Sequence, residues 1–142
     1  MTSRLIIGLI VFVLIGSVSS TVSAASDPTN FLFRKLSFSS AENDQLFRKT
    51  IDEVDALEFE EAGANSNSLV ANVEADNRID GLTFARVLAN AAIIYAQLEQ
   101  PKGALELINR SVSLVEEESV FHEDIYPLMM VKAQILIKQG EL

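Results

Sequence analysis

The chain has 142 residues, 49% of them apolar and 22% charged, with a formal net charge of −9 and neither cysteine nor tryptophan. That length suits one small domain, and the lack of cysteine excludes a disulfide framework, a thiolate metal site and a catalytic thiol. Only Arg4 among the 11 cations precedes position 25 and all 20 acids follow it, so the remainder is more acidic still, at −10. A surface of that sign repels phosphate backbones, which argues against a nucleic-acid partner.

Residues 1–24 read as a secretion signal. Met1 to Arg4 is a weakly positive start, Leu5 to Ile15 is an apolar run broken only by Gly8, and the small polar stretch that follows ends in Val22-Ser23-Ala24. This is the three-part pattern of a cleaved leader. The run of 11 residues falls short of the ~20 that a membrane-spanning helix needs. The expected product is exported to the periplasm or the extracellular space after cleavage near Ala24 or Ala25, with membrane contact only through an uncleaved signal segment.

Residues 25–40 form an irregular, aromatic-rich segment. Asp27-Pro28-Thr29-Asn30 is a cluster of turn formers, and Phe31 to Phe38 is too short for periodicity to class, fitting either a docking segment or a loose strand. Residues 41–80 form an N-terminal helical region. Ser39 and Ser40 offer an N-cap, with Glu42 at capping-box spacing from Ser39. Phe47, Ile51, Val54 and Leu57 recur at helical steps, predicting a helix that ends near Ala62. Gly63-Ala64-Asn65-Ser66-Asn67-Ser68 is expected to be a flexible linker, 63–68, followed by a short helix up to Asn77.

Residues 81–142 carry the strongest helical pattern. Leu88, Ala91, Ala92, Tyr95 and Leu98 share one face of a helix that Pro101 closes. Ala104, Leu105, Ile108, Val112 and Val115 then mark a second helix ending in Glu116-Glu117-Glu118. Ile125, Met129, Ala133 and Leu136 are expected to form the buried stripe of a third, which stops at Gly140. No segment alternates as a strand would, so the predicted fold class is all-α, in antiparallel hairpins joined by short turns.

Leu88 to Tyr95 superposes on Met129 to Leu136 at an offset of 41 residues, with small residues recurring where paired helices approach closely. Over residues 81–142 the chain resembles a tetratricopeptide repeat (TPR), through Tyr95, Ala104, Ile108 and Ser111. It is closer to the longer repeat of kinesin light chains and their bacterial relatives, through Leu88, Asn90, Ala92, Tyr95, Ala104 and Leu105, then His122, Asp124, Ile125, Met129, Ala133 and Gly140. Glu123 stands where that repeat has proline, and Val131 where it has its second asparagine. The resemblance implies a TPR-like α-solenoid of about one and a half recognisable repeats, whose first helices line a concave groove. It marks Asn90 as the groove asparagine, and helical spacing adds Arg86 and Gln97, with Gln134 and Lys138 in the next unit.

Residues that would carry other chemistry have ordinary explanations. His122 is the single histidine, so a catalytic relay or a two-histidine metal motif lacks a partner, and capping at a hairpin entrance is the simpler role. Asp76 to Gly81 opens like a calcium loop, but Arg78 occupies a ligand position and Val87 replaces the bidentate glutamate. Glu116 to Glu118 reads as a solvated helix end. Asn109-Arg110-Ser111 is a glycosylation sequon within a predicted helix, where acceptors are disfavoured. No catalytic, metal or cofactor site is expected.

The expected function is that of an exported, non-enzymatic helical-repeat module binding a protein or peptide in its groove. The alternative is the N-terminal sensory or regulatory TPR portion of a larger signalling protein. An uncovered apolar face on the last helix makes a homo-oligomer possible, unless Phe31, Phe33, Leu36 and Phe38 cover it within one chain.

Overall fold

The computed structural model describes residues 27–140, so the expected signal segment lies outside the described residues. Five α-helices follow a short 3-10 turn at Pro28–Phe31: α1 Ala41–Asp55, α2 Phe59–Ala75, α3 Gly81–Gln97, α4 Pro101–Glu118 and α5 Ile125–Gln139. Among the described residues there is no strand. The turns between helices are three to six residues long, which allows little but reversal of direction, and each helix packs on the next. The architecture is therefore all-α, with α3 at its centre, touched by α2, α4, α5 and the N-terminal turn. Ten residues of α3 are buried.

Local chemistry explains where the helices begin. Ser40 caps α1 by accepting from the Asn43 N–H at 3.3 Å, so the cap pairs Ser40 with Asn43 rather than Ser39 with Glu42. At the start of α3 the Asp80 carboxylate accepts from the Thr83 N–H at 2.8 Å and from its hydroxyl at 2.9 Å. The Thr83 N–H holds that carboxyl below the ordinary aspartate range. Pro101 opens α4, where its missing N–H costs nothing.

The ends are equally explicit. Gly140 closes α5 at φ +75°, a backbone region costly for residues with a side chain. The α1–α2 and α3–α4 turns share one device. Leu57 (φ +62°) and Glu99 (φ +57°) both take the left-handed conformation. The next N–H in each case reaches five residues back, Glu58 to the Glu53 carbonyl at 2.8 Å and Gln100 to the Tyr95 carbonyl at 3.0 Å. These equivalent positions lie 42 residues apart in sequence.

The stretch 63–68 is a correction to the sequence reading: it is not a linker but the interior of α2. The first helix ends at Asp55 instead of near Ala62, and Leu57 lies in the turn with 74% of its surface exposed. The physical reason is proximity. Ala62, Gly63, Ser66, Leu69 and Val73 are the buried residues of α2, a helical stripe whose first members are small where the helix crosses α3. A Cβ on Gly63 would stand 3.0 Å from Leu98 Cδ1 and 3.7 Å from Ile94 Cγ2.

The polar members of α2 bond outward. Asn65 donates to the Glu53 carboxylate at 2.6 Å, Asn72 to Asn43 Oδ1 at 3.1 Å, and Asn67 accepts from the Tyr95 hydroxyl at 2.8 Å. Tertiary contact thus overrides weak helix propensity.

The stripe expected on α5 is also corrected. Its buried residues are Leu128, Val131, Gln134 and Ile135, while Met129 is 45% exposed and Tyr126 and Ile137 more so. The helix is apolar nearly all round, so periodicity alone could not orient it. No helix among the described residues is long and apolar enough to cross a membrane.

Candidate functional site

The site lies along the face of α3 that turns toward α5, across which residues 27–38 run. Asp27 starts the segment as the cap of the 3-10 turn, its carboxylate accepting from the Thr29 N–H and hydroxyl. Pro28 and Leu32 are buried, and Phe31 and Phe33 pack against the main core that includes Leu128, Val131 and Ile135. Farther on, Leu36 and Phe38 join a second cluster with Phe47, Leu69, Val73 and Val87. There the Phe38 ring meets Phe47 edge-on at 5.8 Å between centroids.

Asn90 carries the most specific contact. Its side chain is embedded in α3, 5% exposed, and its amide reads the main chain of Phe33 on both sides. The Oδ1 atom accepts from the Phe33 N–H at 2.8 Å, and the Nδ2 group donates to the Phe33 carbonyl at 2.8 Å. A primary amide is suited to this because it offers donor and acceptor side by side. One side chain therefore satisfies both main-chain polar groups of a residue 57 positions away, with no reference to the side chain there.

Arg86, one turn earlier on α3, supplies the second contact. Its guanidinium lies 5.5 Å from the Phe33 ring centroid, within range of a cation–π attraction. It is held there by Asp124, whose carboxylate accepts from Nε at 2.7 Å and from Nη2 at 3.2 Å. These hydrogen bonds reinforce the protonated state of Arg86. Asp124 is in turn fixed at the entrance of α5, where its N–H donates to His122 Nδ1 at 3.1 Å. His122 Nδ1 also lies 4.0 Å from the Asp124 carboxylate.

The remaining groove candidates lie farther along. Gln97 donates to Asp27 Oδ1 at 3.2 Å, and Lys138 reaches the Ala96 carbonyl at 3.4 Å. Near Lys138 a notch of about 390 Å³ opens between the ends of α3 and α5, lined by Ala96, Glu99, Pro101, Ile135 and Lys138. Gln134 is buried, and its Oε1 has no hydrogen-bond partner among the described residues.

Arg86, Asn90 and Gln97 thus converge on residues 27–33, whereas Gln134 and Lys138 do not bond that segment. The counterparts Asp27, Phe33 and Asp124 were not singled out as site residues from sequence. The Asp-Pro turn and the paired aromatics Phe31 and Phe33 were the signal available.

Asp76 accepts from the Arg78 backbone N–H and from its guanidinium, and this pairing holds its carboxyl below the ordinary range. Among the described residues no three potential metal ligands cluster. Compared with protein-family models, curated proteins and solved structures, the chain matches none.

Proposed function

We propose that this chain is a non-enzymatic helical-repeat module of the TPR kind that binds an extended peptide of a partner protein along α3. The observation that carries the reading is the Asn90 amide engaging both main-chain groups of Phe33. Recognition of that type accepts a stretch of extended polypeptide as such, and flanking pockets then select its side chains. The solenoid arrangement is supported by the left-handed turns at Leu57 and Glu99 and by the wholly buried Ala62 and Ala104. Both pairs are spaced by 42 residues, as stacked hairpins of one design would be. The leader-like start supports a site of action beyond the membrane.

The test uses a fluorescent synthetic peptide with the sequence of residues 27–38, titrated onto the full chain by anisotropy. Saturable binding is expected. The same peptide methylated on the nitrogen equivalent to Phe33 should bind about tenfold or more weakly, the loss of roughly one hydrogen bond to a buried acceptor. Equal binding of the two peptides, or none by either to the full chain and to its Phe33→Pro variant, refutes the reading.

A further inference from the structure

We infer that residues Asp27–Phe38 are a displaceable occupant of the groove, standing where a partner's peptide of matching chemistry binds. Such a peptide is extended, carries aromatic residues at the places of Phe31 and Phe33, and is preceded by an acid-proline turn that meets Gln97. The inference rests on the peptide-binding reading and adds to it both the ligand's pattern and its competition with the chain's own segment.

Four observations distinguish an occupant from a core element. First, the segment meets α3 through its Phe33 main chain, through the Phe33 ring under Arg86 and through Asp27, contacts that any chain with an aromatic residue and an acid at those places can reproduce. Second, only Pro28 and Leu32 in it are buried, Asn30, Arg34, Lys35 and Ser37 are exposed, and Phe31, Phe33, Leu36 and Phe38 are half-buried on apolar clusters, so release uncovers an apolar strip that a partner's aromatic residues would cover again. Third, the clamp on α1 is the Arg34–Asp55 pair at 2.9 Å, with both side chains about half exposed and therefore screened by solvent and salt. Fourth, the groove holds its shape through bonds that bypass the segment. Arg86 is anchored by Asp124, and α4 is tied to α3 by the buried Ser111 hydroxyl donating to the Ala85 carbonyl at 2.6 Å.

The segment stays tethered through Ser39 and Ser40 to α1. A tether of that length keeps its local concentration high, so a partner's peptide must outcompete it, and the apparent affinity of the closed chain falls by the fraction of time the groove is open.

The experiment follows the Phe33 amide in nitrogen-15-labelled full chain while the unlabelled peptide of residues 27–38 is added. As the peptide saturates, hydrogen exchange at Phe33 should accelerate at least about tenfold while amides in α3 keep their protection. A Phe33→Pro chain should bind the peptide about tenfold more tightly than the parent, because it lacks the N–H that Asn90 accepts and leaves every groove residue intact. Leu32 already has φ −62° and ψ 130°, the conformation that a following proline requires. Asp55→Lys, which removes only the exposed clamp, should shift binding in the same direction by a smaller factor. If the peptide binds parent and variants equally and Phe33 exchange is unchanged, the segment stays in place, the peptide is bound elsewhere than at Asn90, and the displaceable segment is wrong. A Phe33→Pro chain that no longer melts cooperatively makes the segment part of the fold and likewise overturns the inference. Binding to none of the chains removes the peptide-binding reading itself.

Discussion

Two chemically identical substitutions should have opposite effects on stability. Gly103 sits in the first turn of α4, where a Cβ would stand 2.7 Å from Tyr95 Cδ2 and 3.0 Å from Cε2. Real Cβ atoms do not approach an aromatic ring that closely, so the ring or the helix must move. The ring is not free to tilt, because its hydroxyl donates to Asn67 at 2.8 Å. Overpacking of this kind costs ~1–3 kcal/mol, and the better helix propensity of alanine returns at most ~1 kcal/mol. Gly103→Ala should therefore lose up to ~2 kcal/mol. At Gly63 the near neighbour is Leu98 Cδ1 at 3.0 Å, the far end of a flexible side chain that can swing by a few tenths of an ångström. There the propensity gain dominates, and Gly63→Ala should be neutral or stabilise by up to ~1 kcal/mol. Urea unfolding of both variants against the parent measures the difference, provided the slope with denaturant is unchanged. Tyr95→Phe in the Gly103→Ala background should recover part of the loss by freeing the ring. Stabilisation by Gly103→Ala alone would refute the close-contact argument.

The other expectations are briefer. Asn90→Leu should accelerate hydrogen exchange at Phe33 and lower stability by ~1–3 kcal/mol, since two part-buried main-chain groups lose their partners together; thermal melts and exchange rates check it. Asp80→Ala should cost ~1 kcal/mol at neutral pH. Because the folded carboxyl titrates below its ordinary value, its contribution is present above the usual aspartate range and lost as pH falls through the depressed value. The penalty should thus shrink in unfolding curves taken at progressively lower pH. Tyr126, Met129 and Ile137 leave an uncovered apolar stripe on α5, so the chain should self-associate at micromolar concentrations. Met129→Glu should shift sedimentation toward a smaller species, and a parent that stays monomeric would exclude association through that face.

Much of the helical framework was legible because its signals are local. Ser40, Asp80, Pro101 and Gly140 punctuate the chain, and α3 and α4 repeat apolar residues at helical steps. Helix α2 was not, because the residues that build it, Gly63 with Asn65, Ser66 and Asn67, are poor helix formers in isolation. They are favoured only by what they meet in space: Leu98, Glu53 and Tyr95. The face of α5 was obscured for the opposite reason, since nearly every position on it is apolar. At the site, spacing placed Arg86, Asn90 and Gln97 on one stretch of α3, but nothing local to that helix indicates that Asp27 and Phe33, at the other end of the described chain, come to meet them.

The two cross-helix amides between α1 and α2 have a consequence for how uniquely the first hairpin assembles. The face that α2 turns to α3 opens with Ala62, Gly63 and Ser66 and is smooth there, and a smooth face resists sliding poorly when the helix is shifted by one turn, about 5.4 Å. Asn43 and Glu53 are 4% and 7% exposed, and any such shift parts them from Asn72 and Asn65 at once. Each orphaned group then costs ~1–3 kcal/mol, more where it is a carboxylate. The hairpin's alignment is thereby separated from its neighbours by an energy gap that apolar contact alone would not supply. Replacing Asn65 and Asn72 with leucine should leave the hairpin greasier yet able to settle in more than one alignment.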